Sequence, residues 1–201
     1  QTIKGLNFKP DFVWIKSRSF TNNHHLFDLL RGPNNILRTS TQGPQTTVAG
    51  VMSSFEQGGF TVQEAGGNNA TNDEGSTFVA WCWKAGGTPV TNNDGSVAAQ
   101  VSANTTAGFS IITATQPGSG DFTVGHGLGK KPAVIMSKVR NVAYNWDFWS
   151  RGCGTIDRTM KPNTNETVFE GRIPYTSTEP STSVISVRGA FFSAGSEHVF
   201  Y

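Results

Sequence analysis

The chain repeats itself, and that duplication constrains its fold more than any other feature. Residues 5 to 18 read Gly-Leu-Asn-Phe-Lys-Pro-Asp-Phe-Val-Trp-Ile-Lys-Ser-Arg, and residues 127 to 140 read Gly-Leu-Gly-Lys-Lys-Pro-Ala-Val-Ile-Met-Ser-Lys-Val-Arg. Gly5, Leu6, Lys9, Pro10, Lys16 and Arg18 thus recur as Gly127, Leu128, Lys131, Pro132, Lys138 and Arg140. Further on, Phe27-Asp28 and Arg31-Gly32 correspond to Trp146-Asp147 and Arg151-Gly152. Gly59-Phe60-Thr61-Val62 matches Ser183-Val184-Ile185-Ser186-Val187 less cleanly. Gly75-Ser76 followed by Val79-Ala80-Trp81 returns as Gly195-Ser196 followed by Val199-Phe200-Tyr201. Several blocks in one order make duplication a better explanation than chance.

The register of the repeat carries a second expectation. Residues 107 to 124 precede the second copy and have no counterpart before Gln1. The second copy stops at Tyr201, where the first runs on through Cys82-Trp83-Lys84. Both ends therefore read as cut, with residues 1–88 the C-terminal part of a first β-sandwich repeat and 89–201 a second, incomplete at its C-terminus. The turn-rich stretch from Thr88 to Ser96 is the expected joint. The competing reading is one continuous sandwich built from both copies.

Each unit reads as all-β. Short apolar runs bounded by turn residues recur at Phe12–Ser17, Gly59–Gln63, Thr77–Lys84, Phe109–Thr115, Ala133–Val139, Thr167–Gly171, Ser183–Arg188 and Glu197–Tyr201. Phe12, Trp14, Lys16 and Arg18 share a face opposite Val13 and Ile15, and Phe109, Ile111 and Thr113 share another. Phe78–Trp83 is apolar on both faces, which predicts a central strand covered on both sides. Asn93-Asp94-Gly95 predicts a tight turn through positive φ. Only Leu26–Leu30 and Met52–Gln57 suit a turn or two of helix, too short for a parallel α/β fold. Composition agrees. Only 36% of residues are hydrophobic and 15% charged, the rest being rich in Gly, Asn, Thr and Ser, while 11% are aromatic. Such a chain folds as loop-rich β structure and not as helix or disorder. The expectation is an antiparallel β-sandwich of the jelly-roll or concanavalin-like kind, in two tandem units.

Little in the sequence points to chemistry. A net charge of +2 without a basic run gives no nucleic-acid face, and no apolar stretch reaches membrane-spanning length. His24, His25, His126 and His198 lack ligand spacing, and Cys82 and Cys153 match no zinc pattern, so no metal or cofactor is implied. No nucleophile elbow and no Glu-x-Asp-x-x-Glu strand is present, so the chain does not read as an enzyme. Asn68, Asn69, Asn72, Asp73 and Glu74, like Asn92, Asn93 and Asp94, offer calcium ligands or simply turn residues. In Tyr144-Asn145-Trp146-Asp147-Phe148-Trp149, alternation puts Trp146 on the core side and Trp149 on the other. Trp149, with Asn145 and Asp147, is the candidate glycan-binding set, against core packing for the whole stretch. The duplicated pairs Lys16/Arg18 and Lys138/Arg140 are candidates for an anionic surface, or for bonds to Asp28 and Asp147 within the fold.

The blocks Gly-Leu-Asn-Phe-Lys-Pro-Asp-Phe-Val-Trp-Ile-Lys-Ser-Arg, Leu-Phe-Asp-Leu-Leu-Arg-Gly, Gly-Gly-Phe-Thr-Val and Phe-Val-Ala-Trp-Cys-Trp-Lys-Ala-Gly-Gly resemble a repeat module of tailed-phage virion proteins, including tail-fibre-like proteins of marine and cyanobacterial phages. The likeness covers nearly the whole chain. The second copy departs from it where Arg172-Ile173-Pro174-Tyr175-Thr176-Ser177 replaces a Gly-rich approach. What the resemblance implies is a virion-surface structural or adhesion module that is assembled in the host cytoplasm. Its implied partners are other virion subunits, a homo-oligomer such as a trimer, and a host-surface glycan. It implies no catalytic residue.

Overall fold

The structure is a computed structural model and describes residues 1–64, 71–166, 169–170 and 174–201. It is all-β, and every ladder between its strands is antiparallel. In the first copy, β1 (Thr2–Lys4), β6 (Met52–Glu56) and β7 (Gly59–Val62) form a sheet in the order β1-β7-β6. With them, β2 (Phe12–Ser17), β3 (His25–Asp28), β4 (Asn35–Arg38), β5 (Thr46–Thr47) and β8 (Phe78–Trp83) form β5-β4-β3-β2-β8. In the second copy, β12 (Phe122–Gly125) pairs β17 (Val184–Val187). The large sheet there comprises β9 (Val90–Asn92), β10 (Ala99–Asn104), β11 (Phe109–Thr115), β13 (Val134–Val139), β14 (Asp147–Ser150) and β18 (Glu197–Phe200), in the order β14-β13-β18-β11-β10-β9. A two-stranded ladder of β15 (Arg158–Thr159) and β16 (Phe169–Glu170) completes the set.

The repeat seen in the sequence is a repeat of pairing. The ladders β1·β7, β2·β3 and β2·β8 return as β12·β17, β13·β14 and β13·β18. Register is kept as well: Lys16 lies opposite Val79, and Lys138 opposite Val199.

Strand alternation builds three cores between four layers. Val13, Ile15, Phe27 and Ile36 of the five-stranded sheet meet Met52, Phe60 and Val62. From the other face of that sheet, Phe12, Leu26 and Leu37 meet Ile111, Met136, Trp146 and Val199 of the second copy. The far face of the six-stranded sheet sends Ile112, Ile135, Trp149 and Phe200 against Phe122, Val124, Ile185 and Val187. The middle core is shared between copies. Each of its large side chains contributes about 1.5–3 kcal/mol on burial, more than a linker joint could offset if the halves parted. Backbone bonds cross the same seam, from Gln45 N–H to the Arg140 carbonyl (2.7 Å) and from Tyr144 N–H to the Gln42 carbonyl (2.9 Å).

Several local expectations are corrected. Leu26–Leu30 begins as strand and Met52–Glu56 is strand throughout, because Gly58 at φ +81° turns β6 directly into β7. At Gly59 a side chain is impossible, since an added Cβ would stand 1.7 Å from the Ile3 carbonyl oxygen of β1. The Asn92–Gly95 turn is closed without positive φ by Asn92 Oδ1, which accepts from the Asp94 N–H at 3.0 Å. Phe78–Trp83 is not central. Among the described residues β8 is the last strand of its sheet, with Trp81 42% and Trp83 40% exposed. Its counterpart β18 does lie inside a sheet, between β13 and β11. The strand expected over Thr167–Gly171 falls largely outside the described residues, as do Asn68, Asn69 and Arg172-Ile173.

Candidate functional site

The expected glycan-binding set does not form an open surface. Trp149 is fully buried, not exposed: it stands opposite Ile135 in the β13·β14 ladder and turns into the third core. Its Nε1 donates to the Thr155 carbonyl at 3.2 Å. Alternation had separated Trp146 and Trp149 correctly, but both faces of β14 are covered, so both rings are core. Trp146 is equally buried and donates from Nε1 to the Arg38 carbonyl of the first copy (2.8 Å). Asn145 accepts from Asn163 Nδ2 at 2.7 Å, and Asp147 is 2% exposed.

The candidate anionic surface is absorbed in part, since Lys16 and Arg18 still line an open depression. Lys16 Nζ donates to the carbonyls of Ser17 (2.5 Å) and Phe20 (3.0 Å). Lys138 Nζ donates to those of Val139 (2.6 Å) and Val142 (3.3 Å). Each lysine therefore closes the same loop in its own copy, one and four residues downstream. Lys138 is buried, so it is no surface cation, and burial pulls its ammonium down to about 8. Arg140 pairs with Glu197 at 3.0 Å, while Arg18 stays exposed. Neither lysine bonds to Asp28 or Asp147 directly.

The two aspartates aligned in the sequence are not structural counterparts: Asp28 stands opposite Phe12, whereas Val134, which matches Phe12, stands opposite Ser150, and Asp147 stands opposite Ser137. Asp28 lies at the seam between the copies, where Arg31 Nε donates to its Oδ2 at 2.5 Å and the Arg31 N–H to its Oδ1 at 2.9 Å. The Tyr201 hydroxyl, from the second copy, also donates to Oδ2 at 2.5 Å. Arg31 further donates to the Leu26 and Asn35 carbonyls and to Gln45 Oε1. Burial would lower the Arg31 guanidinium, but Asp28 and Tyr201 outweigh it and hold the group above its ordinary value. Burial raises the Tyr201 phenol well above the usual range. Arg151 does not take the place of Arg31 either: its N–H bonds the Ala133 carbonyl as that of Leu29 bonds Asp11, and its side chain is exposed. Asp147 Oδ1 meets Thr159 Oγ1 at 3.5 Å, and burial lifts its carboxyl to about 7 against the pull of Lys161 and Lys138.

The other titratable side chains also serve packing. His198 is buried beside Phe122, Phe192 and Phe200, with Nε2 3.3 Å from Gln116 Oε1, and burial drives it down to about 4. Cys82 and Cys153 are free thiols, and burial pushes Cys82 up to about 11. Asn92 Nδ2 donates to Asp94 Oδ2 at 2.9 Å and Asn92 Oδ1 accepts from the Asp94 N–H, so both side chains serve the turn. Among the described residues no group of three His, Cys, Asp or Glu could hold a metal, and no helix is long and apolar enough to cross a membrane.

An apolar cleft of about 420 Å³ opens at the end of the central seam, walled by Phe12, Trp14, Trp83, Phe109, Leu128 and Tyr201. Trp83 stacks on Phe109 with ring centroids 6.1 Å apart, and Phe12 meets Trp83, Phe109 and Tyr201 edge-on. Its only titratable lining residues are His126 and Tyr201, so its walls bring no pair of carboxylates together. It can take up apolar rings or the flat face of a sugar. Sequence reading overlooked it because its aromatics come from strands far apart in the chain. Aromatic alternation in β2 and β8 was the available signal, and it was absorbed by the expectation that β8 is internal.

No curated protein and no solved structure matches the chain. A family model does, over residues 1–201, and the chain thereby belongs to the family described as Domain of unknown function (DUF7483).

Proposed function

We propose that the chain is a non-catalytic structural and adhesion module of a repeated surface assembly, of the tail-fibre kind that its sequence resembles. One observation carries this reading. Among the charged residues that the duplication keeps, Lys16 and Lys138 are spent on the fold, each bonding the carbonyls one and four residues downstream. A repeat that keeps what its architecture needs, and places no charged side chain in its open cleft, is a building unit. Its partners in this reading are further subunits of the same particle. A second reading, host-glycan binding, is favoured by Trp81 and Trp83, whose exposed rings suit sugar stacking better than buried Trp149 does.

The test is to incubate the full chain with a panel of bacterial surface polysaccharides and to follow both retention and reducing ends. Release of no reducing ends is expected, and turnover of any polysaccharide would overturn the proposal. Retention that is lost in Trp83→Ala would favour adhesion over a purely structural role.

A further inference from the structure

Among the described residues, β8 has an unpaired edge in a place where the second copy has a partner. In an antiparallel ladder, alternate residues bond to one neighbour and the intervening ones to the other. The bond from the Arg18 N–H to the Thr77 carbonyl (2.7 Å) fixes that parity, so Val79, Trp81 and Trp83 bond toward β2. Phe78, Ala80 and Cys82 consequently turn their N–H and carbonyl groups outward, and among the described residues no strand and no backbone bond meets them.

The same parity holds in β18. Bonds between Met136 and Tyr201, and from the Arg140 N–H to the Glu197 carbonyl, tie Glu197, Val199 and Tyr201 to β13. His198 and Phe200 face outward and are met by Ala114 and Ile112 of β11. The repeat equates Val79-Ala80-Trp81 with Val199-Phe200-Tyr201, so the open groups of β8 are the counterparts of those β11 satisfies. The composition of β8 agrees. Phe78–Trp83 has the two-faced apolar character of an internal strand, yet Ala80, Trp81 and Trp83 are left exposed. Such an edge is a template for strand addition.

We propose that the outer edge of β8 is completed by an antiparallel strand from a neighbouring repeat of this module, occupying the place that β11 takes on β18. The added strand has the pattern of Phe109–Thr115, with Phe109 and Ile111 toward one face and Ile112 and Ala114 toward the other. One apolar face covers Trp81 and Trp83, and the other covers the Ala80 side. The biological sense of this joint rests on the reading of the chain as a unit of a repeated assembly, but its test reads strand addition alone, so either can fail without the other.

The experiment appends a second copy of residues 96–121, which carries the β10–β11 hairpin, ahead of Gln1 and compares amide exchange with the original chain. Exchange at Phe78, Ala80 and Cys82 is expected to slow by about tenfold or more, with Val79, Trp81 and Trp83 unchanged because β2 already protects them. Ala114→Pro in the appended copy removes an N–H aimed at β8 without touching the original chain, and the gain should vanish. Unchanged exchange at the three outward amides would overturn the proposal. Concentration-dependent protection of those amides in the original chain would also overturn it, by showing that β8 pairs with itself between molecules.

Discussion

Arg31→Met is expected to lower the unfolding free energy by about 3–5 kcal/mol, the range for removing one partner of a buried ion pair. Methionine keeps much of the arginine stem, so the loss is one of charge and hydrogen bonds more than of volume. Asp28 would be left buried with Tyr201 and one backbone N–H, and the Leu26 and Asn35 carbonyls would lose their donor. Urea unfolding followed by tryptophan fluorescence measures the change. Combining Arg31→Met with Asp28→Asn should cost less than the sum of the two single changes, since the stranded charge is then gone. Tyr201→Phe removes one donor from the carboxylate and should cost about 1–3 kcal/mol. A loss under 1 kcal/mol for Arg31→Met would mean that the trio does not clamp the two copies.

Asp147→Asn is expected to do the opposite and stabilise the chain at pH 8, by roughly 2–4 kcal/mol. Burial raises the Asp147 carboxyl to about 7 in the folded chain, whereas the unfolded value lies near ~3.9. Between those values the folded chain holds a proton that the unfolded chain has released. The contribution is therefore full below about pH 4 and is lost as pH rises through about 7. His198 acts with the reverse sign. Its folded value is depressed to about 4, so its contribution is present above the unfolded value near ~6.5 and is lost as pH falls through about 4. The two slopes oppose each other between about pH 4 and 6.5 and partly cancel there, while burial of His24 and His126 adds to the His198 side. Asp147→Asn removes one slope, leaving a protein that is firmer at pH 8 and loses stability steadily on acidification. Thermal unfolding from pH 4 to 8 checks both signs. Destabilisation of Asp147→Asn at pH 8 would mean that its charge is used by Lys161 and Lys138 more than burial opposes it.

The strands of the repeat were legible because period-2 alternation survives in both copies. Phe12 and Trp14 do part from Val13 and Ile15 into different cores, and Phe109 and Ile111 do share a face. The neighbours of each strand were not legible. Alternation says which residues leave one face together but not whether that face is open, so Trp149 was separated correctly from Trp146 and still lies in a core. Phe78–Trp83 failed for the complementary reason: its pattern suits an internal strand, and the described residues give it one partner. The lysines were found by duplication alone, while their role depends on a loop closing within reach of Nζ. The Arg31–Asp28–Tyr201 trio left only the repeated Arg-Gly and Asp as signals, because a contact spanning 173 positions has no local pattern.

The central claim is that the two copies form one body whose buried polar groups hold the seam. Differential scanning calorimetry of the full chain tests it most directly. A single transition with equal calorimetric and van't Hoff enthalpies is predicted, and it should move down as a whole in Arg31→Met. Two separable transitions, with only the one belonging to the first copy shifted by Arg31→Met, would contradict the account.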